Sequence, residues 1–325
     1  MFDILLQSNT DMSNSLAQGA LFFKDVSGEM NDHRLVGNNK GFNARAELTK
    51  RGNIATMEGT IFNDFMMDQS RLLLNGVSLN IKLFQANDNF RLLTPLEEKE
   101  YKLVITNAIL KVCQVTVHPA MILAHDKTLS ETPAVYPFWS SNVKSFTISP
   151  GSQTFMIDNI YHGNVPSKII IGFVTNDAYS GNIRLNPFNF THANVNNLEI
   201  TVNGIPVPHR PLKPNFANND YIPSYLSLLD SNYDVQNGII ITSKDYPNGY
   251  SLFLFDLQSY LHTDIMSKPI KGHVRINLSF ATALTSSINA IVYAKFPDIV
   301  TIDQARNVKI GYSEPYSGGV AAAAA

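Results

Sequence analysis

The sequence predicts an all-β protein built from antiparallel sandwiches. Short segments of alternating or continuous apolar residues recur along the chain, as strands with one or two buried faces require. Gly, Pro and Asn residues separate these segments, and few stretches have the apolar period of a helix. Many short strands, separated by turn residues and accompanied by little helix, indicate a β-sandwich or barrel.

The stretch from Lys168 to Leu229 contains the clearest succession of elements. Ile169–Val174 is an almost continuous apolar run, which predicts a strand buried on both faces. Leu198–Val202 alternates apolar and polar residues, as a strand with one solvated face does. Asn203-Gly204 follows and predicts a hairpin turn, because both residues tolerate a positive φ. Asp220–Leu229 predicts a short helix whose Tyr221, Tyr225 and Leu228 pack onto a sandwich end.

The chain before this stretch has two predicted loops and several predicted strands. Residues 1–8 have the pattern of a short amphipathic helix, and the polar Ser8–Gln18 predicts a loop. Residues 119–142 contain two prolines and the only tryptophan, Trp139, and predict a second loop. The strands predicted here are Ala20–Val26, Leu72–Leu83, Tyr101–Val117, Lys144–Ile148 and Thr154–Ile160.

The chain after Leu229 continues the strand pattern. His273–Phe280 has the cleanest alternation in the protein. The last strand is predicted to end at Pro297. Residues 311–325 end in Gly-Gly-Val and five alanines and are expected to form a disordered tail. The predicted strands are Gly238–Thr242, Tyr250–Leu257, His273–Phe280 and Ser287–Phe296.

Composition limits the classes of function. The 325 residues include 44% apolar side chains, enough for a sizeable core. The net charge of -2 argues against a dedicated nucleic-acid surface, so no specific nucleic-acid binding is expected. No apolar run approaches the ~20 residues of a membrane span, and the N-terminal residues lack the pattern of a secretion signal. The single cysteine, Cys113, forbids an internal disulfide and is interpreted as a small buried apolar residue.

Three short phrases occur twice, in the same order in both halves of the chain. Alternating strands resemble one another by default, so the shared order is the informative feature. It predicts two tandem copies of one β-domain, of which the first lacks the counterpart of Lys144–Tyr225 and is expected to be truncated. The matching pairs are Leu5–Asp11 with Leu228–Asp234, Leu79–Leu83 with Val274–Leu278, and Asn107–Leu110 with Asn289–Val292.

Six segments resemble the double jelly-roll major capsid proteins of Polinton/Maverick elements and adintovirus-like DNA viruses. The resemblance covers roughly Leu16 to Val308 and includes no catalytic signature. It implies tandem antiparallel jelly-roll sandwiches with short helices in the connections: 1–118 as the C-terminal half of the first roll, and 119–310 as a complete second roll. The segments are Ala20–Asp32, Arg71–Leu83, Gly172–Phe190, Arg210–Phe216, Asp245–Asp256 and Ile302–Val308.

The same resemblance implies a non-enzymatic coat protein without a cofactor. Three chains would form a homotrimeric, pseudo-hexagonal capsomer of an icosahedral particle. Its partners would be further copies and penton or minor capsid proteins. Its location would be the virion capsid, with the host cytoplasm or nucleus during assembly, and it would not be secreted. The long excursions Asp25–Ala46 and Ala120–Val143 would contribute tower or intersubunit contacts.

Residues that could suggest chemistry have plainer interpretations, so no catalytic, cofactor or metal residue is predicted. Ser141 and Lys144 match SxxK in a predicted loop without a supporting motif. His118 and His125 flank Pro119 without a cysteine or carboxylate at ligand spacing. The sequence neighbours Asp256, His262 and Asp264 are interpreted as polar residues after a strand, the Phe188 and Phe190 rings as anchors of a loop, and Arg306 with Asp303 as a structural ion pair.

Two other functions are compatible with a jelly roll. A carbohydrate- or ligand-binding module would need an aromatic platform on a sheet face, and Tyr136 with Trp139 is the only cluster that suggests one. A cupin-like metalloenzyme would need several histidines and a carboxylate converging inside one barrel, whereas the eight histidines are scattered.

Overall fold

The fold is described from a computed structural model of the chain. It describes residues 1–61, 71–95, 101–230, 238–257 and 270–311. The helices are α1 Phe2–Gln7, α2 Thr10–Asn14, α3 Leu16–Gly19, α4 Lys40–Thr49, α5 Asp88–Arg91, α6 Pro119–Glu131, α7 Asn176–Ser180 and α8 Ile222–Asp230, with 3-10 turns at Lys50–Gly52 and Phe216–Asn218.

The strands all lie in the second part of the described chain. They are β1 Ala134–Ile148, β2 Thr154–Asn164, β3 Lys168–Thr175, β4 Val195–Val202, β5 Ile205–Pro206, β6 Leu252–Asp256, β7 Lys271–Phe280, β8 Ile288–Ile302 and β9 Val308–Ile310.

Strands β1 to β8 form two antiparallel sheets. The first sheet has the order β1-β8-β3-β6, with β9 added to β8, and the second has the order β2-β7-β4-β5. Successive strands therefore alternate between the sheets, and the first strand pairs with the last. Two four-stranded sheets with this exchange of strands form a jelly roll. The predicted all-β antiparallel jelly-roll class is confirmed.

The core lies between the sheets and comes from alternate positions of each strand. In β7, Val274, Ile276 and Leu278 are buried, while His273 and Arg275 between them are exposed, which confirms the predicted alternation. Each fully buried aliphatic or aromatic side chain contributes about 1.5–3 kcal/mol. The inward residues therefore fix the register, because a slip by one residue would expose the whole set.

Strand β3 is buried on both faces, as predicted from its continuous apolar run. Ile169, Ile171 and Phe173 point into the core between the sheets. Ile170 and Val174 point to the outer face, where a second apolar cluster covers them. Gly172 lies on that outer face, and a Cβ there would come within 2.7 Å of the Phe190 ring.

The predicted hairpin joins β4 and β5. Asn203 and Gly204 have φ values of 53° and 82°, and Val202 pairs with Ile205. These left-handed conformations match the twist of a two-residue hairpin, which explains the residue pair.

Three predicted strands of the N-terminal part are wrong as hydrogen-bonded elements. Ala20–Val26, Leu72–Leu83 and Tyr101–Val117 contain no strand in the structure, although their patterns are typical of strands. An extended segment becomes a strand only when a neighbouring segment exchanges backbone hydrogen bonds with it. Within the described parts of 1–118, no such ladder forms.

Both predicted loops are also wrong in part. Ser8–Gln18 contains helices α2 and most of α3, and Asn9 caps α2 by accepting from the Met12 amide at 2.8 Å. Residues 119–142 form α6 and the first part of β1. Pro119 occupies the first turn of α6, where its missing N–H leaves no bond unmade. Pro137 is tolerated in β1 because β1 is an edge strand.

Two boundaries near the C-terminal strands differ from the prediction. Strand β8 continues through Pro297 to Ile302, because the β3 ladder already ends opposite Lys295 and proline interrupts no bond to it. Gly238–Thr242 is a loop whose Ile240 and Ile241 are buried in the outer cluster. The predicted tail lies, except for Gly311, outside the described residues, as do Ser231–Asp234 of the repeated phrase.

Candidate assembly surface

The N-terminal segment covers the outer face of the first sheet. Leu5 and Leu6 of α1 and Leu228 of α8 are each at most 3% exposed and share one apolar cluster with Ile170 and Tyr293. Both helices come from the repeated phrase, and both bury its leucines on the same face. The region after α1 is therefore attached to the jelly roll through α1.

Asp3 fixes α1 to strand β8 by charge. One carboxylate oxygen accepts from the Tyr293 hydroxyl at 2.7 Å, and the other lies 2.9 Å from Lys295 Nζ. Tyr293 and Lys295 are two residues apart in β8, so both side chains point to the same face. The Lys295 side chain is only 13% exposed, and loss of Asp3 would leave its charge without this counter-ion.

A second ion pair holds residue 24 to the loop before β6. Lys24 Nζ lies 2.6 Å from Asp245 Oδ2 and also donates to the Ile240 carbonyl. Burial alone would raise the pKa of Asp245, but hydrogen bonds from Lys24, Ser27 and Thr242 outweigh it and hold that pKa below its ordinary value. Asp245 is therefore ionised at neutral pH, as the pairing requires.

Asp25 joins three parts of the chain. Its carboxylate accepts from Arg45 Nη2 at 2.6 Å and from Asn186 Nδ2 at 2.9 Å. Its backbone carbonyl accepts from the Tyr250 hydroxyl, and burial raises the pKa of that tyrosine. The excursion Asp25–Ala46, predicted to supply tower or intersubunit contacts, is thus bound at both ends to its own chain.

Much of the remaining N-terminal part is apolar and solvated. We call residues 71–84 and 101–117 the uncovered layer. Ile105 and Ile109 are 59% and 77% exposed, and their neighbours Val104 and Leu110 are 64% and 56% exposed, so both faces of the second segment are bare. Contiguous apolar exposure of this kind marks a surface that contacts other protein.

The residues that suggested chemistry do not converge on one site. Ser141 and Lys144 are three positions apart in β1 and therefore point to opposite faces. Lys144 Nζ donates to the Ile160 carbonyl and lies 4.7 Å from the Tyr161 ring centre. His118 begins α6 instead of ending a strand, and its Nδ1 accepts from the Ala120 amide. In the described residues, no three His, Cys, Asp or Glu side chains are grouped for a metal.

Two further interpretations need correction. Cys113 was predicted to be buried but is exposed, because no second layer covers its segment. Arg306 was predicted to pair with Asp303, but its guanidinium lies 3.3 Å from the Asp126 carboxylate, while Asp303 accepts from Asn307. Asp256 ends β6, whereas His262 and Asp264 lie outside the described residues.

The aromatic residues occupy structural positions. Tyr136 and Trp139 are three positions apart in β1, on opposite faces, and the Tyr136 hydroxyl donates to the Leu72 carbonyl. The two rings therefore form no shared platform for a sugar. Phe190 is 1% exposed and anchors its loop, as predicted. Tyr221 and Tyr225 pack with Tyr246 at ring distances of 5.9 and 5.8 Å, as the helix pattern predicted.

The contacts made by Asp3, Lys24 and Asp25 have no signal in the local sequence. Each joins positions more than 150 residues apart, so only the folded chain brings the partners together. A near-neutral composition does indicate that charges are paired, but it does not identify the pairs. In the parts of the chain that the structure describes, no helix is both long and apolar enough to cross a membrane.

Comparison with known proteins gives one relative of known sequence and several of known structure. No family model matches the chain. Over 314 residues it is 24% identical to Uncharacterized protein F54H12.2 of Caenorhabditis elegans, and the match covers 94% of this chain and 72% of that protein.

Among solved structures, the chain is similar to capsid proteins of three viruses. The PBCV-1 virus capsid gives a TM-score of 0.37 at 11% identity, over 59% of this chain and 55% of that chain. The Sputnik virophage structure gives 0.36 at 14%, over 59% and 43%. The mavirus major capsid protein gives 0.33 at 14%, over 61% and 44%. The match therefore spans about half the length of these capsid chains.

Proposed function

We propose that this chain is a structural coat protein that self-associates into the shell of a virus-like particle. The observation that carries the proposal is the uncovered layer beside a closed jelly roll. A jelly roll is a rigid block whose core needs no partner, whereas the apolar layer next to it is stable in water only when another surface covers it. Such a combination suits a subunit that is completed by its neighbours.

The segments that resemble Polinton/Maverick and adintovirus-like capsid proteins support the finer form of the proposal. Three chains form a pseudo-hexagonal capsomer, in which closed threefold symmetry satisfies every contact. Residues 1–118 correspond to the C-terminal half of a first jelly roll, and 119–310 to a second, complete one. Penton and minor capsid proteins are the further partners, and the virion capsid is the location, after assembly in the host cytoplasm or nucleus.

The electrostatic properties of the chain suit this role. A net charge of -2 on 325 residues leaves little repulsion between densely packed neighbours. The strongest ion pairs, Asp3 with Lys295 and Lys24 with Asp245, are internal and hold the N-terminal segment in place. Assembly contacts then depend mainly on apolar surface, and salt should weaken them little.

Sedimentation velocity of the purified chain tests the proposal. We expect a concentration-dependent trimer that persists in 0.5 M salt, because apolar contacts are not screened. A monomer at every concentration, or binding of a defined sugar on a glycan array without self-association, would favour the ligand-binding alternative. Negative-stain images of the same fractions would distinguish ordered particles from aggregates.

A further inference from the structure

Two histidines lie directly opposite each other on the outer face of the second sheet. His162 of β2 pairs in register with His273 of β7, and both side chains are exposed. Their neighbours Tyr161 and Val274 are 6% and 0% exposed and point into the core. Because side chains alternate along a strand, the two imidazoles share the solvated face.

The backbone around His273 places the two imidazoles close together. The His273 amide donates to Asn203 Oδ1 at 3.1 Å, and its carbonyl accepts from the Asn203 amide at 3.1 Å. Both backbone groups of His273 therefore face β4, which makes His162 and His273 a non-hydrogen-bonded pair. In such a pair the Cα atoms lie about 4.5 Å apart and the side chains are at their closest.

An irregularity in β2 creates this pairing. Three residues of β2, Asp158 to Ile160, lie between Ile157 and Tyr161, whereas only Arg275 lies between their partners on β7. A regular ladder would place Ile160 opposite His273. Instead Ile160 is 2% exposed, and Asn159 adopts a φ of 52°. Bulges of this kind re-aim side chains, and this one brings the second imidazole into position.

The charges around the pair leave both imidazoles available. Asp158 and Arg275 on the same side form an ion pair with a separation of 2.5 Å. Lys271 lies next along β7, in register with Asn164. Neutral imidazole nitrogens are ligands suited to zinc, copper and nickel, with metal–nitrogen distances of about 2.0–2.1 Å for zinc.

We propose that His162 and His273 together bind one divalent transition-metal ion of the Zn²⁺ and Cu²⁺ class. Among the described residues no third histidine, cysteine or carboxylate joins them as a group. Water therefore fills the remaining positions of the ion, and the site is an open, exchangeable one rather than a structural centre. The proposal is independent of the coat function, because both side chains lie outside the uncovered layer.

Calorimetric titration of the full-length, chelator-treated chain with Zn²⁺ tests the site. We expect one saturable ion per chain. His162→Ala and His273→Ala should each weaken binding by more than about 10-fold, since even loss of an outer-shell partner reduces metal affinity 10–100-fold. The matched control is His209→Ala, which removes another exposed histidine and should leave the affinity unchanged.

Copper gives a second readout of the same site. The electron paramagnetic resonance spectrum of the Cu²⁺-loaded chain should show coupling to two imidazole nitrogens, and each single variant should reduce it to one. Unchanged circular dichroism of the variants would show that they fold. Absence of saturable Zn²⁺ binding, or equal affinity in wild type and both variants, would overturn the proposal.

Discussion

Asp3 and Lys295 are held 2.9 Å apart by their side chains, although they lie near opposite ends of the described chain. The pair stabilises the contact between α1 and the outer face of the first sheet, and the Tyr293 hydroxyl adds a hydrogen bond of 2.7 Å to the same carboxylate. The N-terminal segment is therefore an integral part of the jelly roll's outer surface.

Asp3→Asn should destabilise the fold by about 2 kcal/mol, because hydrogen bonds to charged groups contribute about 1.5–3 kcal/mol and Lys295 would lose its counter-ion. Urea unfolding at pH 7 measures the change. Asp11→Asn, at an exposed position of α2, is the control and should change stability by less than about 0.5 kcal/mol. Equal effects of both variants would show that the pair adds nothing.

Gly172→Ala should destabilise the fold by about 1–3 kcal/mol, the usual effect of overpacking. The added methyl group would lie 2.7 Å from Phe190 Cδ1 and 3.0 Å from Leu252 Cδ2. If the phenyl ring causes the clash, the penalty should shrink in a Phe190→Leu background, and a double-mutant cycle of urea midpoints measures that coupling. An additive cycle would contradict the assigned contact.

His192 should make the fold less stable in mild acid. Its ring stacks on Phe216 at 4.1 Å, its Nδ1 accepts from the Asn194 amide, and burial lowers its pKa below the ordinary 6.5. A histidine with a lowered folded-state pKa stabilises the fold above the unfolded value, so stability is lost as the pH falls through about 6.5 and below.

The measurement is the free energy of unfolding of wild type and His192→Gln between pH 7.5 and 5. The wild type should lose stability relative to the variant as the pH falls. His125→Gln, which changes a histidine on α6, should follow the wild type. Parallel curves for wild type and His192→Gln would exclude this histidine as the cause.

Ile109→Lys should weaken self-association without unfolding the chain. Ile109 is 77% exposed, so its replacement should change stability by less than about 0.5 kcal/mol. A charge inside an apolar contact is unfavourable, so the dissociation constant should rise by at least about 10-fold, which corresponds to 1.4 kcal/mol. Sedimentation equilibrium measures this shift.

Val36→Lys is the matched control for that prediction, because Val36 is 97% exposed but lies outside the uncovered layer. It should self-associate like the wild type. Equal weakening by both substitutions would mean that added charge alone, rather than the layer, governs assembly.

The sequence predicted the elements whose information is local. Ile169–Val174, Asn203-Gly204 and His273–Phe280 each combine a clear pattern with a partner in the same sheet, and the structure confirms them. Tyr101–Val117 has an equally clear pattern but no ladder in the described chain, so propensity alone did not produce a strand.

The contacts at the surface depend on tertiary structure. Asp3, Lys24 and Asp25 find partners far along the chain, and the pairing of His162 with His273 depends on a bulge that no local pattern in β2 reveals. The tandem duplication and its domain boundaries stay predictions.

Negative-stain electron microscopy of the sedimenting species tests the central claim most directly. If the chain is a coat subunit, class averages of the wild type should show uniform particles with threefold symmetry, and Ile109→Lys should abolish them. Single jelly-roll-sized particles at all concentrations, or irregular aggregates that Ile109→Lys leaves unchanged, would contradict it.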